Sequence, residues 1–334
     1  MQHPPAVSVI IPARDAAPTL ARTLRALERQ TLEQPYEVIV VDDGSTDGTA
    51  EIAERFAPLV RVIRTGSAAG PGAARNRGVA AARASVLAFT DADCFPTPAW
   101  LAEGLAGLAS ADLVQGRVDP DPEPARTPFD RSLSVQGDGG FYQTANLFVR
   151  RETFEAVGGF RDWALEQSGR RRWAPDRRRG RATRTPIGED TVFAWSARRR
   201  GTSSAYAAGA LVHHAVVPGG LGDELADRWH WAHDMPGLAR RVPELRVAVF
   251  YHRWFFSHWT AQFDLALAGL LMALAGRRRL GLLAAAPYLR RLTRESTRYG
   301  KRGAVRYVLG MPMVEAATLA GLLTGSAAWR CLVL

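Results

Sequence analysis

The sequence predicts an α/β fold: a mostly parallel sheet with helices on both faces, followed by a mainly helical C-terminal region. In the first hundred residues, short β-rich runs alternate with segments of helical periodicity, in the order that builds parallel sheets. From about Val217 onwards, aromatic clusters and long apolar stretches replace this alternation. We therefore expect one domain over residues 1–216 and a second region over residues 217–334.

Four strands and three helices account for the first hundred residues. The strands are short apolar runs, three of them ended by proline, aspartate or threonine-aspartate: residues 7–11, 37–41, 59–63 and 86–89. The helices follow the first three strands: one with the apolar side Leu20, Leu24 and Leu27, one over residues 49–56, and one from the glycine-rich stretch 66–78 to residue 84. Thr19 is a candidate cap for the first helix.

Further along the chain the signals are more widely spaced. Residues 146–150 predict a strand and residues 151–157 a short helix, whereas the proline- and acid-rich residues 119–128 predict a surface loop. Glu189 and Asp190 begin a helix that runs to about residue 200. Eight of the sixteen residues over 169–184 are arginine, which favours a mobile loop. This loop is either a lid that grips an anionic ligand or a solvated insertion.

The chain is strongly basic, with a formal net charge of +10, and Lys301 is its only lysine. Such a charge favours anionic partners, which include nucleotide diphosphates, acidic lipid surfaces and nucleic acid. No nucleic-acid recognition motif is present, so we expect no nucleic-acid partner.

The two cysteines, Cys94 and Cys331, are too few for a disulfide framework, and no signal peptide is visible, so we expect a cytoplasmic protein.

Three acidic groups follow predicted strands or begin a helix: Asp42 with Asp43, Asp91 with Asp93, and Glu189 with Asp190. Ligands of open parallel sheets bind outside the carboxyl ends of the strands. Converging carboxylates repel one another unless a cation offsets their charge, and oxygen ligands suit Mg²⁺ or Mn²⁺. Individually, each acid could instead cap a turn or a helix. The phosphate-binding motifs GxxxxGK[ST] and GxGxxG do not occur after the first strand.

Six segments, in the same order along the chain, resemble the inverting family 2 glycosyltransferases, which have the GT-A fold. Together with the helix after the first strand, these segments extend over about two thirds of the chain. They are VSVIIPARD, YEVIVVDDGSTDGTA, GPGAARNRG, FTDADC, TANLFVRRETFEAVGGF and GEDTVFAWSARRRG, and the similarity ends at ALVHHA. The resemblance implies a transfer of sugar from a nucleotide-sugar to an acceptor hydroxyl, with a cell-envelope glycan or a glycolipid as the expected acceptor. It favours a uridine donor and leaves guanosine and thymidine open.

The resemblance also assigns roles on the donor side. Pro12 and Arg14 would lie near the nucleotide base, and Asp43 would accept a hydrogen bond from it. Arg75 would lie beside the nucleotide, and Asp91 would face the ribose or the sugar.

The remaining assignments concern the metal and the acceptor. Asp93 would hold Mn²⁺ or Mg²⁺, which would offset the charge that grows on the leaving diphosphate. His214, with His213 as the alternative, would contact the metal or the diphosphate. Asp190 would be the general base, with Glu189 orienting the acceptor. Without the resemblance, Asp190 could simply favour the start of a helix, and Cys94 is expected to be a small buried residue.

Other activities and a membrane role stay open at this level. A nucleotidyltransferase would need a glycine-rich basic loop after the first strand, which Pro12 and Arg14 do not supply. A non-catalytic, membrane-associated scaffold would have no need of Asp93 and Asp190. For residues 217–334 we expect amphipathic helices on the inner face of the cell membrane, with a soluble helical subdomain and a shallow hairpin as alternatives.

Overall fold

A computed structural model describes residues 4–124, 126–163 and 187–334. The arginine-rich residues 169–184 lie outside these ranges. The chain forms two compact units. The first comprises Met1–Pro122 and Ser132–Ala215, and the second comprises Glu123–Arg131 and Val216–Leu334.

An eight-stranded sheet forms the centre of the first unit, in the order β3-β2-β1-β4-β7-β6-β8-β5. Strands β1 to β4 are parallel, β7 is antiparallel to both β4 and β6, and β5 is antiparallel to β8. The strands are β1 Val7–Ala13, β2 Tyr36–Asp42, β3 Val60–Arg64, β4 Val86–Thr90, β5 Cys94–Pro96, β6 Leu113–Pro120, β7 Asn146–Arg150 and β8 Ser204–His214. The four parallel strands and β7 match the prediction, whereas β5, β6 and β8 were not predicted.

The described helices of this unit are α1 Ala17–Glu28, α2 Thr49–Glu54, α3 Pro71–Ala81, α4 Trp100–Gly107, α5 Arg151–Val157 and α6 Glu189–Arg198. Alternate residues of the central strands enter two apolar clusters on opposite faces of the sheet, as the period of a strand requires. Val9 and Ile11 lie in one cluster and Ile10 in the other. Helix α3 comes so close to β1 that only glycine fits at residue 78.

The predicted cap of α1 by Thr19 is wrong. Thr19 lies inside the helix, and its hydroxyl donates to the carbonyl of Ala16 at 3.4 Å. The amide groups at the start of α1 instead donate to side chains of the loop after β2. Ala16 N donates to Thr49 Oγ1 at 2.8 Å, and Ala17 N donates to Asp47 Oδ2 at 3.0 Å. A neighbouring loop therefore supplies the cap, which local sequence could not show.

The predicted surface loop over residues 119–128 begins later than expected. Asp119 and Pro120 belong to β6, and the carboxylate of Asp121 is buried. Arg22 of α1 pairs with both oxygens of Asp121 and lies 3.9 Å above the ring of Phe95. The half-exposed Arg22 thus supplies the partner that allows the carboxylate of Asp121 to leave the solvent.

The buried side chain of Asn146 joins the strands β6 and β8 and the helix α4. Its Nδ2 donates to the carbonyls of Arg117 and Ala210, and its Oδ1 accepts from Trp100 Nε1 at 2.8 Å. These bonds lie where β6 changes register against β8, between Gly116 and Arg117. Asn146 therefore satisfies backbone carbonyls beside the β-bulge.

The second unit is helical. Its helices are α7 Leu221–Arg241, α8 Leu245–Ala248, α9 His258–Leu274, α10 Arg278–Ser296 and α11 Lys301–Trp329. Among the described helices, α11 alone has the length and composition to cross a membrane, with a hydropathy of 1.4. A Cβ at its Gly321 would lie 2.5 Å from the carbonyl of Trp229, so α11 packs tightly against α7.

Candidate active site

The loops that follow β1 and β2 form one edge of the site. Pro12 lies in β1 opposite Val41, and Arg14 follows this strand as a partly buried side chain. Asp43 N donates to the carbonyl of Ala13 at 2.8 Å, which extends the pairing beyond the strands. Pro12, Arg14 and Asp43 therefore lie at the carboxyl ends of neighbouring parallel strands, as expected for a ligand-binding edge.

The buried carboxylate of Asp43 holds the glycine-rich loop in place. Its Oδ1 accepts from Ala69 N at 2.9 Å, and its Oδ2 accepts from Gly70 N at 2.8 Å. The hydroxyl of Thr65 also donates to it, at 3.2 Å. Asp43 thus orders the turn that leads into α3, a role that the sequence did not indicate.

A second contact between loops was also not predicted. Asp15 adopts a positive φ of 48°, an uncommon conformation that aspartate tolerates better than most residues. Its amide donates to Ser45 Oγ at 3.0 Å, and its Oδ1 accepts from Thr46 N at 2.8 Å. The loops after β1 and β2 are therefore joined side by side, which fixes the backbone next to Arg14.

The guanidinium of Arg75 connects two of the acidic groups. Its Nη2 donates to Asp91 Oδ1 at 2.7 Å, and its Nη1 donates to Glu189 Oε1 at 3.2 Å. Arg75 is almost fully buried, and the nearby carboxylates raise its pKa against the effect of burial. Residues from α3, the end of β4 and the start of α6 are thus gathered around one charge.

Asp190 lies next to this ion-pair network, at the start of α6. Its Oδ2 accepts from Thr144 N at 3.1 Å, and its Oδ1 accepts from the amide of Thr191 at 2.8 Å. Burial, and then the charge of Glu189, raise the pKa of Asp190 from 3.8 to about 7, although Arg75 and the two amides oppose this. A carboxyl group with this pKa can accept a proton near neutral pH, as a general base must.

Asp93, directly before β5, and His214, at the end of β8, form a separate pair. Asp93 Oδ2 lies 3.7 Å from His214 Nε2. His214 Nδ1 lies 2.8 Å from the carbonyl of Ala215, and because a carbonyl can only accept, Nδ1 carries the proton. In the neutral ring, Nε2 then carries the lone pair. This is the tautomer in which Nε2 can bind a metal while Nδ1–H donates to a second group. The donor atoms fit a divalent cation, and among the described residues they form the one such cluster, together with Cys94.

Cys94 is fully buried, as expected for a small core residue. Burial, then the charges of Asp91 and Asp93, raise the pKa of its thiol well above the usual value. The neighbouring His213 pairs with Phe95, and successive side chains of a strand point to opposite faces. His213 is therefore directed away from the face on which His214 meets Asp93.

Comparisons with known proteins identify relatives of this chain. Residues 8–164 match the family model described as Glycosyl transferase family 2. Glycosyltransferase AglE of Haloferax volcanii is 36% identical over 170 residues, which cover 47% of this chain and 56% of that protein. Validoxylamine A glucosyltransferase of Streptomyces hygroscopicus subsp. jinggangensis is 33% identical over 162 residues, which cover 43% and 38%. The matches thus span less than two thirds of either relative.

A solved structure resembles the fold over most of the chain. It is the mannosyltransferase PcManGT from Pyrobaculum calidifontis in complex with GDP-Man and Mn²⁺, with a TM-score of 0.54 and 18% identity. The similarity covers 98% of this chain and 88% of that one. Residues 8–164 therefore belong to the family 2 glycosyltransferases, and the first unit, which holds most of them, has the GT-A fold.

Proposed function

We propose that this protein is an inverting, metal-dependent glycosyltransferase that transfers a sugar from a nucleotide-sugar to an acceptor hydroxyl. One observation carries the proposal: the guanidinium of Arg75 binds both Asp91 and Glu189. This bridge brings the aspartates after β4, on the donor side, next to the start of α6, where the candidate base lies. Family membership and the observed cluster of acids therefore point to the same site.

Asp190 is the proposed general base. In a single displacement, the acceptor oxygen bonds to the anomeric carbon while the bond from that carbon to the diphosphate breaks. The hydroxyl proton moves to the Asp190 carboxylate, and the nucleoside diphosphate leaves with the bonding electrons. Because the attack comes from the opposite face, the anomeric configuration inverts. A positioned base of this kind contributes about 10²–10⁴-fold in rate.

Asp93 and His214 are the proposed ligands of the divalent cation, Mn²⁺ or Mg²⁺. When bound, such a cation acts as a Lewis acid that offsets the negative charge of the leaving diphosphate. The proton on His214 Nδ1 leaves Nε2 free to bind it, and the carboxylate of Asp93 supplies an oxygen ligand. The structure of PcManGT with Mn²⁺ supports this choice by similarity of fold.

The nucleoside would lie against the edge formed by Pro12, Arg14 and the loop that Asp43 orders. The carboxylate of Asp43 already accepts two amide hydrogen bonds, so we propose that it acts on the base chiefly by fixing this loop. We propose a UDP-sugar as donor, with GDP- and dTDP-sugars as alternatives. The proposed acceptor is a hydroxyl of a cell-envelope glycan or a glycolipid.

The test measures nucleoside diphosphate release from a panel of UDP-, GDP- and dTDP-sugars, with Mn²⁺, with Mg²⁺ and with chelator. Wild type is compared with Asp93→Ala and Asp190→Asn, and with Glu54→Gln as a control that removes an exposed carboxylate elsewhere. We expect one donor to be consumed, only with a cation, and both site variants to lose at least ~10²-fold in rate. Cation-independent release, or full activity of Asp190→Asn, would overturn the mechanism.

Failure of all donors to bind, measured by thermal shift, would overturn the transferase proposal itself and favour a non-catalytic role. Inversion is checked separately: the anomeric proton of the product, read by NMR, must show the configuration opposite to that of the donor.

A further inference from the structure

Within the described residues, the exposed large hydrophobic side chains are confined to one part of the chain. Among the described residues there are 21 such side chains, and all of them lie at or beyond Val217, in the second unit. Single exposed leucines are normal on a soluble protein, but a contiguous set marks an interaction surface. The contrast between the two units shows that this surface is a local feature.

Ten of these side chains lie on the hairpin of α9 and α10. They are Leu265, Leu267, Leu270, Leu271, Met272, Leu274, Leu280, Leu282, Leu283 and Leu289. The surrounding residues 270–280 are exposed almost without interruption. We call this set the apolar hairpin.

The two helices of the apolar hairpin pack closely against each other. A Cβ at Gly269 would lie 2.6 Å from the carbonyl of Gly281, and a Cβ at Gly281 would lie 2.5 Å from that of Gly269. The two backbones therefore approach as closely as small residues allow, which is how helices associate where no hydrophobic effect drives them together. Because the helices meet through glycines, their leucines remain on the outside.

Cationic side chains border the apolar hairpin. Its turn carries the exposed Arg277, Arg278 and Arg279 directly after Gly276. Between Arg253 and Arg306 the sequence contains eleven cationic and two acidic residues. An apolar surface framed by arginines complements a bilayer that carries anionic headgroups, since leucines enter the acyl boundary and each cation near the surface adds attraction.

Aromatic residues lie at the other end of the apolar hairpin. Trp259, in the first turn of α9, is exposed, and the guanidinium of Arg291 lies 4.4 Å above its ring. Tyr251 and Trp254, which precede α9, are exposed as well. Tryptophan and tyrosine favour the level of the headgroups, where one part of the ring is apolar and another is wet.

From these features we infer that the apolar hairpin lies in one leaflet of an anionic phospholipid bilayer and attaches the enzyme to the membrane surface. The three arginines of the turn oppose passage through the hydrocarbon core, so the hairpin lies along the interface. Helix α11 does not act as a span, because it packs against α7, which carries Asp227, Arg228 and Asp234.

An apolar groove of about 510 Å³ opens beside the apolar hairpin. Leu265, Leu267 and Leu271 line it, and the same three leucines are exposed on the outer surface. The groove gives an acyl chain a place to enter, which a flat apolar face would lack.

The inference is tested by flotation of the full-length protein with vesicles of phosphatidylcholine alone or mixed with phosphatidylglycerol. The test variant is Leu271→Glu combined with Leu283→Glu, because these side chains are 62% and 71% exposed and make few contacts in the fold. Val247→Glu is the control, since residue 247 is 73% exposed and lies outside the hairpin. Donor-induced thermal shift confirms that every variant is folded.

We expect wild type and Val247→Glu to bind the mixed vesicles, and the double variant to bind at least roughly tenfold more weakly, because each buried leucine contributes more than that. Replacing Arg277, Arg278 and Arg279 by glutamine should weaken binding to mixed vesicles by about fivefold per arginine and leave binding to phosphatidylcholine unchanged. Wild type that binds neither vesicle, or a double variant that binds as wild type does, would overturn the inference. A wild-type dimer that the double variant dissociates, with no vesicle binding, would assign the face to a second copy.

Discussion

His214 Nε2 lies 3.7 Å from Asp93 Oδ2, and the opposite nitrogen of the same ring is fixed by the carbonyl of Ala215. The ring is therefore oriented before any cation arrives. Replacing His214 by alanine should raise the Mn²⁺ concentration for half-maximal activity by at least ~10-fold, because one of the ligands is lost. The measurement is a Mn²⁺ titration of donor turnover, with free Mn²⁺ followed by EPR.

His213→Ala is the matched control for this variant. Residue 213 is the same residue type on the same strand but faces the other side, so its removal should leave the Mn²⁺ titration unchanged. Equal weakening by both substitutions would contradict the assignment of His214.

The raised pKa of Asp190 predicts a pH-dependent rate. Since the base must be ionised and its pKa is about 7, kcat/KM should fall about tenfold per unit as pH drops below 7, and level off above it. Donor turnover at saturating cation, from pH 5 to 9, gives the profile. A profile that is flat across neutral pH would show that Asp190 does not limit the reaction.

The same pKa predicts a gain in stability on losing the base. The folded protein binds the Asp190 proton more tightly than the unfolded chain, whose carboxyl keeps a value near 3.8. Protonated Asp190 therefore contributes its full stabilisation to the folded state below pH 3.8. This contribution to the free energy of unfolding is lost as the pH rises to about 7. Asp190→Asn should then raise Tm more at pH 8 than at pH 4, by roughly 2–4 °C per kcal/mol relieved. Calorimetry at both pH values checks this, and a Tm below wild type at pH 8 would contradict it.

The Arg75 bridge predicts coupled effects on stability and pH dependence. Arg75→Gln leaves Asp91 and Glu189 without their shared cation, which should cost about 3–5 kcal/mol in the free energy of unfolding. Because the charge of Arg75 lowers the pKa of Asp190, its loss should move the acid limb of the rate profile to higher pH. Arg75→Lys keeps the positive charge but loses the bidentate geometry of the guanidinium. The acid limb of its rate profile should therefore lie near the wild-type pH, whereas its kcat/KM should stay below the wild-type value.

Arg64→Gln is the control for Arg75. Arg64 also binds two carboxylates, Glu51 and Glu54, but this cluster is exposed, so its loss should leave the free energy of unfolding nearly unchanged. Urea unfolding compares the variants. A similar small cost at residue 75 would show that the bridge does not stabilise the site.

The approach of α3 to β1 predicts a steric effect at Gly78. An alanine Cβ would lie 2.5 Å from Ile10 Cγ2 and 3.2 Å from Val41 Cγ2, both in the core. Gly78→Ala should therefore destabilise the protein by about 1–3 kcal/mol. Gly137→Ala, where no atom lies within 4 Å of the added carbon, should be nearly neutral. Equal midpoints in urea for the two variants would show that the helix can move away.

The sequence predicted the strands whose residues are apolar on both sides, such as β1, β2 and β4. It could not predict β8, because its alanines and glycine have low strand propensity and the pairing with β6 joins distant parts of the chain. It failed at Thr19 for a related reason, since a loop from elsewhere in the chain caps α1. Propensity describes local preference, whereas these features depend on tertiary contacts.

The candidate site, too, was only partly predictable from the sequence. The three acidic groups, Asp42 with Asp43, Asp91 with Asp93, and Glu189 with Asp190, predicted one ligand-binding crevice. The structure joins Asp91 to Glu189 through Arg75, with Asp190 beside this bridge. The pairing of Arg75 with Glu189 and the loop-holding role of Asp43 depend on side-chain geometry that spacing does not encode. The roles of these residues in the reaction stay predictions until the variants are measured.

The pairing of β5 with β8 has a consequence for how the first unit is made. Asp93, one proposed cation ligand, directly precedes β5. His214, the other, is the final residue of β8, the last strand along the chain. Bringing them together closes a loop that contains most of the unit, and such closures are slow steps of folding. On the ribosome, strands β1 to β4 emerge long before residue 214. A nascent chain would therefore first complete the edge at which we propose that the nucleoside binds, and the proposed cation site would form only when synthesis of the unit is nearly finished.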